Sequence, residues 1–311
     1  MKAAFVFSGQ GAQYPGMFRD LYEENADARR IFDAASRALG RDMGALCFSG
    51  TAEELNLTHN TQPCVLTADL AAAAALMGKG LRPAAVAGFS LGEYAALTVA
   101  GVLSESDVFP LIQLRADAMQ RAVPVGEGGM AAVVGRTVEE VRALCQEIGD
   151  DFVAPANENS PLQTVVSGTA SGIAKFTALA ESRGVMAVPL KVSAPFHCRL
   201  MQPAAEELKT ALVQCRFGAP TVPVYMNYTG KVLAKAEDTA EMLYRQAFHP
   251  VLWVDTVRRM AEDGVSLFVE CGPGKTLSGL IRRTVKGARV LHVESVATLE
   301  KAVAEWNALE N

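Results

Sequence analysis

Residues 88–94 read Gly-Phe-Ser-Leu-Gly-Glu-Tyr, a serine held between two glycines in the spacing Gly-x-Ser-x-Gly, directly after the apolar run Ala84-Ala85-Val86-Ala87. That spacing suits a nucleophile elbow. Where a strand turns abruptly into a helix, side chains flanking the serine would collide, and Gly88 and Gly92 remove them. The same turn sets the Ser90 hydroxyl at a helix N-terminus, where backbone N–H groups can stabilise an oxyanion. The plainer alternative is a structural turn with a buried serine. A strand before, a helix after and both glycines in place favour catalysis.

A nucleophilic serine needs a base, and the chain offers four histidines, His59, His197, His249 and His292. His292 lies in an apolar strand, His249 precedes Pro250, and His59 sits in a polar turn. His197, in Ser-Ala-Pro-Phe-His-Cys, follows a strand directly, a place from which a base can project off a rigid scaffold into a cleft, and it is the expected base. Arg115 falls in the middle of the helical stripe Leu111, Ile112, Ala118, Met119 and Ala122. A cation on an apolar face needs an anion, because an unpaired buried charge is costly. With no carboxylate evident nearby in the sequence, a substrate carboxylate gripped by the guanidinium fork is expected. Pro110 is expected to interrupt this helix or to mark its start.

Other chemistries are excluded. Gly-Gln-Gly-Ala-Gln-Tyr at 9–14 follows a strand, yet the third glycine of a dinucleotide fingerprint would fall at Tyr14. Gly-Pro-Gly-Lys-Thr at 272–276 resembles a phosphate loop only at its end, since the first glycine would have to stand at Val269. A net charge of −5 gives no general attraction for nucleic acid or anionic lipid. The six cysteines contain no Cys-x-x-Cys pair and read as free thiols, neither a disulfide framework nor a metal site. Only five apolar residues follow Lys2 before the first glycine-rich turn, too few for a signal-peptide core. The apolar stretch Ala68–Met77 contains Asp69 and covers about half of the ~20 residues of a membrane span, so a buried helix is expected, and the free thiols point to a cytoplasmic protein.

The elements that must position these residues alternate between strand and helix periodicity, as in an α/β protein with a mostly parallel sheet covered on both faces. Strands are expected over 3–7 and 84–87, and helices over 28–39, 64–77 and 91–100. Between about 128 and 192 the order becomes strand, helix, strand, strand, helix, strand, with the second strand near 152–155, which is the ferredoxin-like βαββαβ unit. The expected organisation is a large catalytic domain over 1–126 and 194–311, with the small unit 127–193 inserted into it. At 311 residues and 50% hydrophobic composition the chain can bury cores of that size.

Several stretches in this order resemble the malonyl-CoA:acyl carrier protein transacylases: Gly-Gln-Gly-Ala-Gln at 9–13, the 88–94 elbow, Leu114-Arg115, Ala-Pro-Phe-His-Cys at 194–198, Arg245-Gln246 followed by His-Pro-Val-Leu-Trp, and Glu-Cys-Gly-Pro-Gly-Lys-Thr-Leu-Ser-Gly-Leu-Ile-Arg-Arg at 270–283. The resemblance spans essentially the whole chain. It implies a hydrolase-like α/β domain with a ferredoxin-like insertion. It implies further that Ser90 carries the acyl group, that His197 is its base, and that the Gln246 main-chain carbonyl orients the imidazole. Gln10 and Leu91 would supply the oxyanion N–H groups, and Arg115 would bind the malonyl carboxylate. Malonyl-CoA is then a substrate, acyl carrier protein the partner, and no metal or redox cofactor is required; a monomer is expected. A loading enzyme for a polyketide assembly line, an acyl-thioester hydrolase and a non-catalytic binding protein are the alternatives. The chain departs from the family at Phe89, where histidine is usual, which makes the pocket wall more apolar; Phe196 is the type associated with malonyl. Lys275, Arg282, Arg283 and Lys286 form a basic cluster suited to an acidic carrier protein.

Overall fold

The computed structural model describes residues 1–192 and 194–310; Ser193 and Asn311, where the two expected segments end, lie outside the described residues. Among the described residues, ten strands form two sheets. The first contains β1 (Ala3–Phe7), β2 (Ala85–Gly88), β7 (Val224–Met226), β8 (Lys231–Val232), β9 (Leu267–Cys271) and β10 (Arg289–Val293), in the order β10-β9-β1-β2-β7-β8. Every pairing is parallel except that of the edge hairpin β7–β8. β1, β2 and β9 are buried along their whole length, as continuous apolar runs covered on both faces must be. The register sets Phe7 opposite both Gly88 and Cys271, so three strands end level and release their loops at one edge of the sheet. In an open parallel sheet that carboxyl edge is where ligands bind.

The second sheet, order β4-β5-β3-β6, is antiparallel and contains β3 (Gly128–Val134), β4 (Val153–Ser160), β5 (Gln163–Thr169) and β6 (Met186–Pro189). Helices Val138–Gln146 and Ala170–Ser182 connect its strands, giving the expected βαββαβ order, and pack a separate apolar cluster that includes Val141, Val166 and Phe176. The chain is thus mixed α/β, with a mainly parallel sheet and a separate antiparallel one.

Two prolines lie inside helices. The helix predicted over 64–77 runs from Thr58 to Gly78 straight through Pro63. Proline removes the N–H that would bond the carbonyl four residues back, here His59. That carbonyl accepts instead from Arg41 Nη2 at 3.1 Å and Gln113 Nε2 at 3.2 Å, so nothing is left unpaired. Likewise Pro110 neither interrupts nor starts its helix, which spans Glu105–Ala122 with Ser104 as N-cap. Buried residues on both sides of the proline, Val108, Phe109, Leu111 and Ile112, hold the segment in register. No helix among the described residues is long and apolar enough to cross a membrane.

Candidate active site

The elbow is as tight as its glycines imply. A Cβ at Gly88 would lie 1.9 Å from the carbonyl of Gly92, and one at Gly92 would lie 2.4 Å from the carbonyl oxygen of Phe7, so no side chain fits at either place. Between them Ser90 adopts φ 55°, a left-handed conformation costly for a residue with a Cβ, and helix Gly92–Val99 begins two residues later. Strain of this kind persists only where surrounding contacts impose it.

His197 meets the serine: Ser90 Oγ and His197 Nε2 are 2.6 Å apart. Its Nδ1 lies 2.9 Å from the main-chain oxygen of Gln246. A carbonyl only accepts, so Nδ1 carries the proton and the Nε2 lone pair faces the serine hydroxyl. Gln246 sits in the last turn of helix Thr239–Phe248, where carbonyls have no intrahelical partner and the helix dipole is negative. A helix-terminal carbonyl therefore stands where the carboxylate stands in a Ser-His-Asp triad. Burial, and after it the nearby Arg115 guanidinium, push the His197 pKa down to about 4, which keeps the imidazole neutral and able to accept a proton. The other histidines stay outside the cavity: His292 lies in β10, His249 bonds the Arg245 carbonyl, and His59 contributes its own carbonyl to Arg41.

Arg115 is fully buried, its fork spread over three groups. Nη1 donates to Gln62 Oε1 at 2.7 Å; Nη2 donates to Gln246 Oε1 at 3.0 Å and to Ser90 Oγ at 3.2 Å. The guanidinium also lies 5.4 Å from the Tyr94 ring centroid. The expectation that no carboxylate stands near it is corrected: Glu93, fully buried at the start of the elbow helix, interacts with Arg115 electrostatically. Burial raises the Glu93 carboxyl to about 8, against the opposing pull of the Asn227 N–H and Arg115. Arg115 is thus held by neutral amides and a carboxyl that resists ionisation, which leaves much of its charge available to a ligand.

A cavity of about 280 Å³ opens on these groups. Its polar lining includes Ser90, His197, Arg115, Gln62 and Glu270, and its apolar lining includes Met130, Val165, Leu190, Phe196, Leu277 and Leu280. Gln10 follows β1 and lines the cavity, its side chain turned away to Thr58 Oγ1 at 3.3 Å. Leu91 is the fully buried N-cap of the elbow helix. Among the described residues, the N–H groups of Gln10 and Leu91 donate to no protein acceptor. Phe89 also lines the cavity and packs edge-on against Trp253 at 5.5 Å, so the wall beside the nucleophile is apolar as expected.

The acyl transferase domain family matches residues 4–310. The chain belongs to this acyl transferase family. It is 40% identical over 305 residues to the malonyl CoA-acyl carrier protein transacylase of Bacillus subtilis, covering 97% of this chain and 96% of that protein. The crystal structure of acyl-carrier-protein S-malonyltransferase from Burkholderia pseudomallei superposes with a TM-score of 0.94 at 44% identity, over 98% of this chain and 100% of the other. A malonyl-transacylase in complex with a type II PKS acyl-carrier protein superposes with a TM-score of 0.95 at 39% identity, over 98% and 100%.

Within this acyl transferase, Ser90, His197, Arg115, Gln10 and the Gln246 carbonyl, all named from the sequence, converge on one site. Four further contributions escaped it. The Gln246 side chain donates from Nε2 to the Ser90 carbonyl at 2.8 Å while its Oε1 accepts from Arg115. Gln62 and Asn227 approach from elements far away in the chain, and Glu93, on the elbow helix, meets Arg115 and the Asn227 N–H. Gln62 lies outside the helix expected over 64–77, and only the longer helix Thr58–Gly78 buries it beside the site.

Proposed function

We propose that the chain transfers a malonyl group from malonyl-CoA to the phosphopantetheine thiol of acyl carrier protein by a ping-pong mechanism through an acyl-Ser90 intermediate. The observation that carries the reading is a buried arginine 3.2 Å from a serine oxygen that also stands 2.6 Å from a neutral imidazole. A hydrolase of uncharged acyl thioesters has no use for that guanidinium; a carboxylate-bearing acyl group does.

His197 takes the Ser90 proton at Nε2 as Oγ attacks the thioester carbonyl, and the Gln246 carbonyl at the helix terminus steadies the imidazolium. The Gln10 and Leu91 N–H groups stabilise the oxyanion, and collapse expels coenzyme A, its thiolate taking the proton from His197. The carrier thiol then repeats the sequence in reverse. Arg115 pairs with the malonyl carboxylate and thereby holds the ester in a fixed pose. The reaction needs no metal or redox cofactor, since coenzyme A enters as part of the substrate. A monomer is the state we expect, and the free cysteines, five of them buried, suit the cytoplasm. Fatty-acid synthesis is the pathway we favour; the likeness to a transacylase bound to a PKS carrier protein keeps polyketide loading as the second reading.

Docking falls to Lys275, Arg282, Arg283 and Lys286, all exposed. They lie on and beside helix Thr276–Thr284, whose Thr276, Leu277 and Leu280 line the cavity. A chase experiment tests the reading. Malonyl-enzyme freed of malonyl-CoA should pass its acyl group to phosphopantetheinylated carrier protein at least about a hundredfold faster than to water, and Arg282→Glu with Arg283→Glu should slow only the transfer to the carrier. Equal rates with and without carrier would make the protein a hydrolase.

A further inference from the structure

We propose that Asn227 is a positioning residue for the nucleophile, its side-chain amide clamping the Gly88–Ser90 turn in the conformation that aims Ser90 Oγ at His197. This inference rests on Ser90 being the acylated residue. The β2–β7 ladder pairs Val86 with Val224 and Ala87 with Tyr225, and there it stops, because the chain after Gly88 turns out of the sheet. Asn227, just beyond β7, continues the ladder with its side chain: Nδ2 donates to the Gly88 carbonyl at 2.6 Å and Oδ1 accepts the Ser90 N–H at 2.7 Å. A carboxamide offers one donor edge and one acceptor, as a peptide group does, so it supplies the rung that the turning backbone cannot.

The clamp is itself held. The Asn227 N–H donates to Glu93 Oε2, and its carbonyl accepts from the Leu252 N–H at 3.0 Å. Asn227 is fully buried, so bulk water does not compete for these bonds. On the other side of the same residue the Gln246 amide donates to the Ser90 carbonyl at 2.8 Å, and Ser90 is gripped at both ends while standing at φ 55°. With the Ser90 N–H occupied by Asn227, the oxyanion is left to Gln10 and Leu91. Without the amide, the Gly88 carbonyl and Ser90 N–H would be buried and unpaired, and the turn would relax toward conformations that satisfy them and swing Oγ away from His197.

The test measures pre-steady-state acylation of wild type, Asn227→Ala and Asn227→Asp by malonyl-CoA. Quench-flow with detection of the Ser90 adduct gives the rate constant per acylatable site separately from the fraction of sites. Asn227→Ala should acylate on the order of 10- to 100-fold more slowly per site, the loss expected for an unpaired buried polar group, with its malonyl-CoA KM within about threefold of wild type. Asn227→Asp, isosteric and still able to accept the Ser90 N–H, should fall between the two. If the alanine variant does not fold, the aspartate variant decides alone. A wild-type rate per site in the folded variant, with only melting temperature or active fraction lowered, would make Asn227 a structural residue and overturn the proposal. A wild-type protein that forms no Ser90 adduct would overturn the transferase reading and this inference with it.

Discussion

His197→Ala should acylate Ser90 roughly a hundred- to ten-thousandfold more slowly than wild type while retaining its affinity for malonyl-CoA. No other group can stand in. Among the described residues, the only other carboxylate or imidazole lining the cavity belongs to Glu270, whose oxygens already accept from the Leu277 and Ser278 N–H groups and the Ser278 hydroxyl. The pH profile should carry the same mark. His197 acts as a base only when neutral, and burial together with Arg115 sets its pKa at about 4, below the ordinary value of 6.5. The acylation rate of the free enzyme should therefore hold from neutral pH downward and fall only as pH drops through about 4; in His197→Ala that limb should vanish. Malonyl bound to Arg115 neutralises the charge that depresses the imidazole, so the limb measured at saturating malonyl-CoA should lie at higher pH than that measured at low concentration. Acetyl-CoA should show no such displacement. Rapid pH jumps from a neutral stock keep acid unfolding out of the reading, and identical limbs for both substrates would detach Arg115 from the base.

Arg115→Ala should lose malonyl transfer selectively. A charge-assisted pair between the guanidinium and the malonyl carboxylate in a partly dry cavity contributes about 2–4 kcal/mol, or roughly a thirty- to thousandfold in kcat/KM. Acetyl-CoA has no carboxylate and gains nothing from the pair, so its transfer should hold steady or rise once a buried cation no longer opposes an apolar acyl group. The acetyl rate is also the control for collateral damage, because Arg115 donates to the Gln246 side chain that in turn grips the Ser90 carbonyl. Arg115→Lys should rescue malonyl transfer only in part, since a point charge cannot reach Gln62, Gln246 and the ligand together as the fork does. Steady-state kinetics of the three proteins with both thioesters decide the matter. Equal losses for malonyl and acetyl would mean that Arg115 supports the site without selecting the acyl group.

What the sequence reveals here follows the range of the interactions involved. The elbow is legible because its geometry is local: two glycines four residues apart suffice to say that strand meets helix around Ser90. Arg115 is legible through periodicity, which places it on a buried stripe without saying what it touches. Its neighbours are silent in the sequence. Gln62 is 53 residues away, and Asn227 reaches Ser90 across 137, contacts made only once β7 lies beside β2. Glu93 is adjacent to the elbow, yet its proximity to Arg115 depends on the helix Glu105–Ala122 packing against its own. The helix-end carbonyl of Gln246 came only through family resemblance, because a backbone atom leaves no mark on residue type. Pro110 misled for a related reason: proline's local penalty is visible, whereas the packing that holds Val108, Phe109, Leu111 and Ile112 in the helix is not.

The central claim is a covalent acyl-serine, and intact-mass analysis after brief mixing with malonyl-CoA tests it most directly. One malonyl adduct per chain should appear, peptide mapping should place it on Ser90, and Ser90→Ala should remain unmodified. An adduct on a cysteine, or none at all on folded protein, would contradict the account.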